Sequence, residues 1–317
     1  MLRFFRISNG LIESLDAHMV PTSVELDTVH WIDAQEPTDE ERLFLQDFLR
    51  TELPQSDDVE EIEVSARCFI DQAGVHVHSR FLTKTETRYS TISVACILQQ
   101  QRLITIREHD LADFRLLRMR ARKGQMECHS PADLLLTLLE QKVGNLADIL
   151  EDNHRLLEKV SFIVLEEENS DLENCISELA RLEDSNGKIR LCLMDTQLDV
   201  SFLKRYMKNK PELQETCREL GRDLDTLMSH TTFLFEKINF LMDSTQGFIN
   251  IKQNQIIKIF SIAAVVFLPP TLIASIYGMN FHMIPELKWT LGYPWAIGLM
   301  ILSAIAPYLL FKHKGWL

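Results

Sequence analysis

The chain has 317 residues, 46% hydrophobic and 25% charged, which excludes a disordered chain, a collagen and a low-complexity array. Its 33 Lys and Arg against 46 Asp and Glu leave a net charge of −13, the wrong sign for a nucleic-acid binder but compatible with a cationic partner. Cys68, Cys96, Cys128, Cys175, Cys192 and Cys217 are scattered without a CxxC pair, so they read as reduced thiols, not a disulfide framework or a zinc knuckle.

Residues 1–125 read as an α+β cytoplasmic domain. Leu2–Ile7, Val29–Asp33, Val75–Phe81, Thr91–Leu98 and Leu103–Arg107 are short, β-branched or aromatic, and bounded by turn residues. Thr38-Asp39-Glu40-Glu41 has capping-box spacing and opens a helix to about Arg50. A second helix covers Leu111 to Arg122. The N-terminus lacks the apolar run and cleavage site of a signal peptide, which points to a body inside the cell.

Residues 126–210 read as long acidic helices of the same domain. Ser130 before Pro131 is an N-cap with proline at the first helical position. One helix runs to about Glu168, a second from about Asp171 to Lys208. Eleven acidic and three basic residues between Glu151 and Asp184 mark a solvated face. His76 and His78 alternate on a strand, a spacing that fits a hydrogen-bonded structural pair better than a metal site.

Residues 211–258 read as a stalk helix. Leu213, Leu220, Leu227, Leu234, Leu241 and Phe248 recur every seven residues. Cys217, Leu224, Thr231, Ile238, Thr245 and Lys252 form a second, poorer row. No stop signal separates this stalk from residues 259–277, the first of two transmembrane helices. Pro269-Pro270 should kink the helix without ending it. At 1.5 Å per residue the whole helix would be about 100 Å long.

Ile259 to Pro285 and Trp289 to Phe311 carry no Asp, Glu, Lys or Arg. Each run exceeds the roughly 20 apolar residues that cross a bilayer. Residues 278–291 form the external loop, 292–312 the second transmembrane helix and 313–317 a basic cytoplasmic tail. Lys252 and Lys258 precede the first span, and Lys312 and Lys314 follow the second, against Lys288 alone in the loop. The positive-inside rule then places both termini in the cytoplasm.

Within the first span Ser261, Thr271 and Ser275, with Asn254 before it, fall in an arc of about 100° on a helical projection. Ile257, Ala264 and Leu268 share that stripe. Such a stripe is either a small-residue packing face or a pore axis. Its position on a span continuing a heptad helix favours the pore. Two spans cannot enclose a conduit, so a pore requires a homo-oligomer with the first span innermost.

Tyr277-Gly278-Met279-Asn280 stands directly after the first span. Met283-Ile284-Pro285-Glu286-Leu287-Lys288-Trp289, Gly292-Tyr293-Pro294 and the ending Phe311-Lys312-His313-Lys314 follow. With these residues the chain resembles the CorA family of metal ion transporters. Phe248–Ile251, Ile256–Ser261, Arg190–Gln197 and Phe114–Arg122 extend the resemblance over the whole chain. His282 and Ile284 depart from glutamate and methionine often found in the family, leaving the loop one carboxylate, Glu286.

The resemblance implies a pentameric, funnel-shaped channel of the bacterial inner membrane that transports hydrated Mg2+, with Co2+ and Ni2+ as further cargo, and needs no organic cofactor. The YGMN residues would be its selectivity filter. Magnesium dehydrates reluctantly, so a ring of Asn280 amide and Gly278 carbonyl oxygens suits its water shell. Gly278 lets the backbone approach the axis. Met279 packs the loop and Tyr277 supports the filter. Matched through the first span, the constrictions fall at Asn254, Ile257, Phe260, Leu268 and Thr271, where apolar rings close a pore by dewetting.

The family also implies regulatory Mg2+ at acidic subunit interfaces. Val59-Glu60-Glu61-Ile62 supplies Glu60 and Glu61. The stalk supplies Asp223 by its Arg222-Asp223-Leu224 motif, or Glu219 by ungapped counting. Two other functions remain: a zinc or transition-metal transporter on the same scaffold, against which Met279 speaks, and a non-conducting membrane-tethered sensor. An enzyme is disfavoured, because no nucleophile–base motif, phosphate loop or metal-ligand cluster is present.

Overall fold

The structure is a computed structural model and describes residues 1–15, 28–49, 67–85, 88–167, 171–279 and 289–315. It divides into two compact units, Met1–Met242 and Asp243–Leu317. In the first unit, strands β1 (Leu2–Ser8), β2 (Leu11–Leu15), β3 (Trp31–Gln35), β4 (Cys68–Ile70), β5 (Val75–Thr85), β6 (Arg88–Leu98) and β7 (Leu103–Arg107) form one sheet. Its order is β2-β1-β3-β7-β6-β5-β4. All pairs are antiparallel except β3 with β7, where Trp31 stands opposite Leu103 and Asp33 opposite Thr105.

The sheet buries both faces. Val75, Val77, Phe81 and Leu103 join the core of the long helices, while Phe4, Ile32, Ala34, Ile97 and Ile104 join a second core with Leu45. Leu45 belongs to α1 (Asp39–Leu49), and α2 (Ala112–Arg122) follows β7. The Thr38 hydroxyl accepts from Glu41 N and the Glu41 carboxylate from Thr38 N, closing the expected capping box. Sequence periodicity overlooked β2 and β4. They are five and three residues long, too short for a period of two to declare itself.

Three long helices complete the chain up to the membrane: α3 (Pro131–Glu166), α4 (Leu172–Tyr206) and α5 (Pro211–Tyr277). Ser130 caps α3 by accepting from Asp133 N, with Pro131 behind it. On its acidic stretch Glu151, Asp152 and Glu158 are exposed, and Arg155 pairs with the first two. The face is solvated, as charge alone implied.

Polar keys fix how the helices meet the sheet. Buried Asp33 takes Arg107 at 3.0 Å and Arg118 at 2.9 Å. Buried Lys142 of α3 donates to Ser79 of β5 at 2.7 Å, and Ser79 donates to Asp199 of α4. One turn earlier, Asp195 accepts from Arg67 at 2.9 Å and from the Arg80 backbone at 2.6 Å. Groups so deeply buried persist only when paired.

Both heptad rows of α5 reach the core: Leu220, Leu234 and Leu241 of the first row are buried, and the second row is the more evenly covered. Cys217, Leu224, Thr231 and Ile238 are essentially inaccessible, whereas Leu213 and Leu227 are half-buried. The polar fault at Thr231 is tied down: its hydroxyl accepts from Arg190 and its carbonyl from the Asn186 amide. The histidine pair also corrects its expectation. His76 Nε2 donates to the Asp71 carboxylate at 2.9 Å, but neither ring nitrogen of buried His78 is hydrogen-bonded among the described residues. Burial pushes His78 down to about 4, so it stays neutral.

Burial, partly offset by Lys142, pushes the Asp199 carboxyl up to about 7. Lys142, Asp195, Ser79 and Cys68 are the groups that face it. The native state then holds a proton that the unfolded chain has released. Stability should therefore fall as pH rises from the ordinary aspartate range toward neutrality. Asp199→Asn should flatten this slope in denaturant unfolding at pH 5 and pH 7. An unchanged slope would remove Asp199 from the account.

Candidate functional site

The second unit holds the rest of α5 and α6 (Gly292–His313), and each of these two helices has a stretch long and apolar enough to cross a membrane. Helix α5 continues through Pro269 and Pro270 to Tyr277. Gly278 N then donates to Ala274 O at 2.9 Å and Met279 N to Ile276 O at 3.3 Å. A Cβ at Gly278 would stand 3.1 Å from Ala274 O, tighter than ordinary contact. Glycine is therefore suited to this exit even before any ion is considered. Tyr277 is half-buried and Met279 exposed. Asn280 and the loop residues to Lys288 lie outside the described residues.

The membrane half of α5 has two distinct sides. Ile262, Ala263, Val266, Pro269, Ile273 and Tyr277 are half-buried. On α6, Gly292 and Ala296 are buried and Met300, Ser303, Ala304 and Pro307 half-buried, a row of mostly small residues. These are the sheltered sides of the two helices. Asn254, Ile257, Phe260, Ser261, Ala264, Leu268, Thr271 and Ser275 are all exposed. At 100° per residue this stripe centres on the side of α5 opposite the half-buried one. Within one chain, then, the stripe lies outward. Thr271 bonds its hydroxyl back to Phe267 O at 2.7 Å, which leaves chiefly its methyl and its oxygen lone pairs outward.

In the first unit, Glu219 and Asp223 stand one turn apart on α5 and share a groove with Glu140 of α3. Val143, Gly144 and Leu220 form its floor. Burial, then repulsion from Asp133, Glu219 and Asp223, pushes the Glu140 carboxyl above its ordinary value, although the side chain keeps solvent contact. The two alignments that separated Glu219 from Asp223 therefore point to one patch. Sequence reasoning missed Glu140, which no spacing connects to α5. Among the described residues no group of three or more His, Cys, Asp or Glu side chains is placed to hold a metal ion. Glu60 and Glu61 lie outside the described residues.

Residues 27–313 match the family described as CorA-like Mg2+ transporter protein. The chain is 46% identical over 319 residues to the magnesium transport protein CorA of Escherichia coli strain K12, covering 100% of both chains. It has the same identity and coverage to the protein of that name in Salmonella typhimurium strain LT2. The solved CorA magnesium transporter of Methanocaldococcus jannaschii superposes with a TM-score of 0.77 at 20% identity, covering 100% of this chain and 99% of that one. At that identity the last likeness concerns the fold.

The two-sided helix makes a labelling prediction. Five native cysteines are buried and Cys68 is half-buried, so background reactivity is low. Ser261→Cys and Ser275→Cys should react with a water-soluble thiol reagent in the assembled protein in membranes. Ile262→Cys and Ile273→Cys should not. Equal labelling of all four would remove the distinction between the faces.

Proposed function

The chain belongs to the CorA-like Mg2+ transporter family, and we propose that it conducts hydrated Mg2+ through a homo-oligomeric pore across the bacterial inner membrane. The observation that carries this reading is the YGMN sequence closing α5 in a chain 46% identical, end to end, to a magnesium transport protein. A transporter and not an enzyme is what family membership gives. Pentameric assembly, Co2+ and Ni2+ conduction, cytoplasmic termini and Mg2+ control are finer parts of the proposal and rest on the family resemblance.

The chemistry follows from the ion. Mg2+ keeps near-ideal octahedral hydration and sheds it reluctantly. A filter made of Asn280 amide and Gly278 carbonyl oxygens binds the water shell by hydrogen bonds and spares the cost of stripping it. A carboxylate ring would hold the ion more tightly and slow its release. Below the filter, the exposed α5 stripe alternates hydroxyl or amide groups with apolar ones. Leu268, Phe260 and Ile257 are the positions where a narrow ring dewets. An inside-negative potential drives inward flow, at about 2.3 kcal/mol per charge per 100 mV and twice that for a divalent ion.

Control is assigned to the acidic groove. Glu140, Glu219 and Asp223 repel one another, and Mg2+ shared with Glu60 and Glu61 at a subunit interface would turn repulsion into attraction. Binding biases the closed arrangement only by its differential affinity for it. The zinc-transporter alternative is disfavoured by Met279, and the silent-sensor alternative by a polar stripe that no helix of the same chain covers.

Asn280→Ala should abolish Mg2+ uptake into proteoliposomes while the oligomer stays intact by size-exclusion chromatography. Near-normal uptake by the assembled variant would overturn the filter assignment. Glu61→Ala with Asp223→Ala should keep flux high at millimolar internal Mg2+, where the unmodified protein shuts off. Retained shut-off would exclude that pair, and repeating the test with Glu219→Ala separates the two stalk carboxylates.

A further inference from the structure

Two histidines far apart in sequence meet between α3 and α5 in the first unit. His154 Nδ1 and His230 Nε2 are 3.1 Å apart. The rings are tilted by 56°, and Phe233 flanks both of them. The other nitrogen of His154, Nε2, stands 3.5 Å from the Glu158 carboxylate.

We propose that His154 and His230 form a transition-metal site that staples α3 to α5, with Zn2+, Ni2+ or Co2+ as its ligand. The distance is the first argument. Metal–imidazole bonds of about 2.0–2.1 Å at angles between octahedral and tetrahedral place two ligand nitrogens about 2.9–3.4 Å apart. The carboxylate is the second. A metal-bound imidazole commonly donates its remaining N–H to a carboxylate, which fixes tautomer and orientation. Glu158 favours the proton on His154 Nε2 and leaves the Nδ1 lone pair facing His230. Without metal, His230 Nε2–H donates to that lone pair. With metal, His230 carries its proton on Nδ1, so both lone pairs converge on the ion and no net proton is released.

The pair is a minimal site. Among the described residues no third His, Cys, Asp or Glu completes it, so water fills the remaining positions. Imidazole suits zinc, nickel and cobalt, whereas Mg2+ prefers oxygen. The site would thus answer to a different class of ion from the one assigned to the filter, and it stands independently of that assignment. The two helices it joins are those that carry the acidic groove: Glu140 on α3, Glu219 and Asp223 on α5.

The test uses the full-length protein in detergent, stripped with chelator and titrated with Zn2+. With Mg2+ held saturating, the expected result is a thermal midpoint that rises with Zn2+ in the unmodified protein and rises less in the double His154→Gln, His230→Gln variant. His154→Gln and His230→Gln keep a hydrogen-bonding side chain but should each weaken binding tenfold or more. Glu158→Gln should weaken it by about tenfold. Co2+ bound to the unmodified protein should show a visible spectrum of nitrogen ligation, a readout that needs no variant. Zn2+ binding and a Zn2+-induced midpoint shift unchanged in the double histidine variant, or a Co2+ spectrum of oxygen ligands alone, would each overturn the site.

Discussion

A water-filled path through a bilayer needs a closed ring of helices, because hydrocarbon satisfies no backbone or polar group. One copy of this chain brings two. One face of α5 is half-buried, and α6 shelters a row of mostly small residues. What remains outward on α5 is the stripe of Asn254, Ser261, Thr271 and Ser275 among Ile257, Leu268 and Phe260. In lipid those hydroxyl and amide groups would be an expense without return. In the proposed oligomer, against copies of themselves around an axis, they would line the conduit. The need for more than one copy thus follows from helix number and from which face of α5 is left bare.

Helix α5 contributes to both units of the chain. Its first part is held in the soluble core by Leu224, Leu234 and Ile238 and by the satisfied polar fault at Thr231. Its last part carries the stripe and ends at Gly278. The same helix that would line the path therefore carries two of the carboxylates assigned to control. Burial first, and then the neighbouring Asp133, Glu219 and Asp223 carboxylates, push the Glu140 carboxyl up, and a divalent ion is suited to relieve like-charge crowding. The histidine contact lies on the same pair of helices, so ions of two chemical classes could act on one joint.

Much of this was legible in residue order. The Ser130–Pro131 start of α3 and the Thr38–Glu41 box need only neighbours a turn away, so local chemistry declares them. The span of α5 followed from the absence of stop signals between Pro211 and the apolar run. The stripe followed from angular spacing along one helix. The family was readable because its signature lies in contiguous residues, Tyr277 to Asn280 and the loop beyond. The short strands β2 and β4 were not legible, since they exist through pairing with β1 and β5 and not through any period of their own.

By itself, then, the sequence determined the long helices, their caps and the two apolar stretches, because each depends on groups within a few positions of one another. Only the tertiary structure decided how completely each heptad position is buried. That choice rests on where α3 and α4 lie, and it places Leu224 inside while leaving Leu227 half-exposed. Packing likewise decided that His78 is buried neutral without a hydrogen-bonded partner among the described residues. It brought Glu140 to Glu219 and Asp223, and His154 to His230 across 76 positions. Contacts between helices distant in sequence depend on crossing geometry, which no local period encodes.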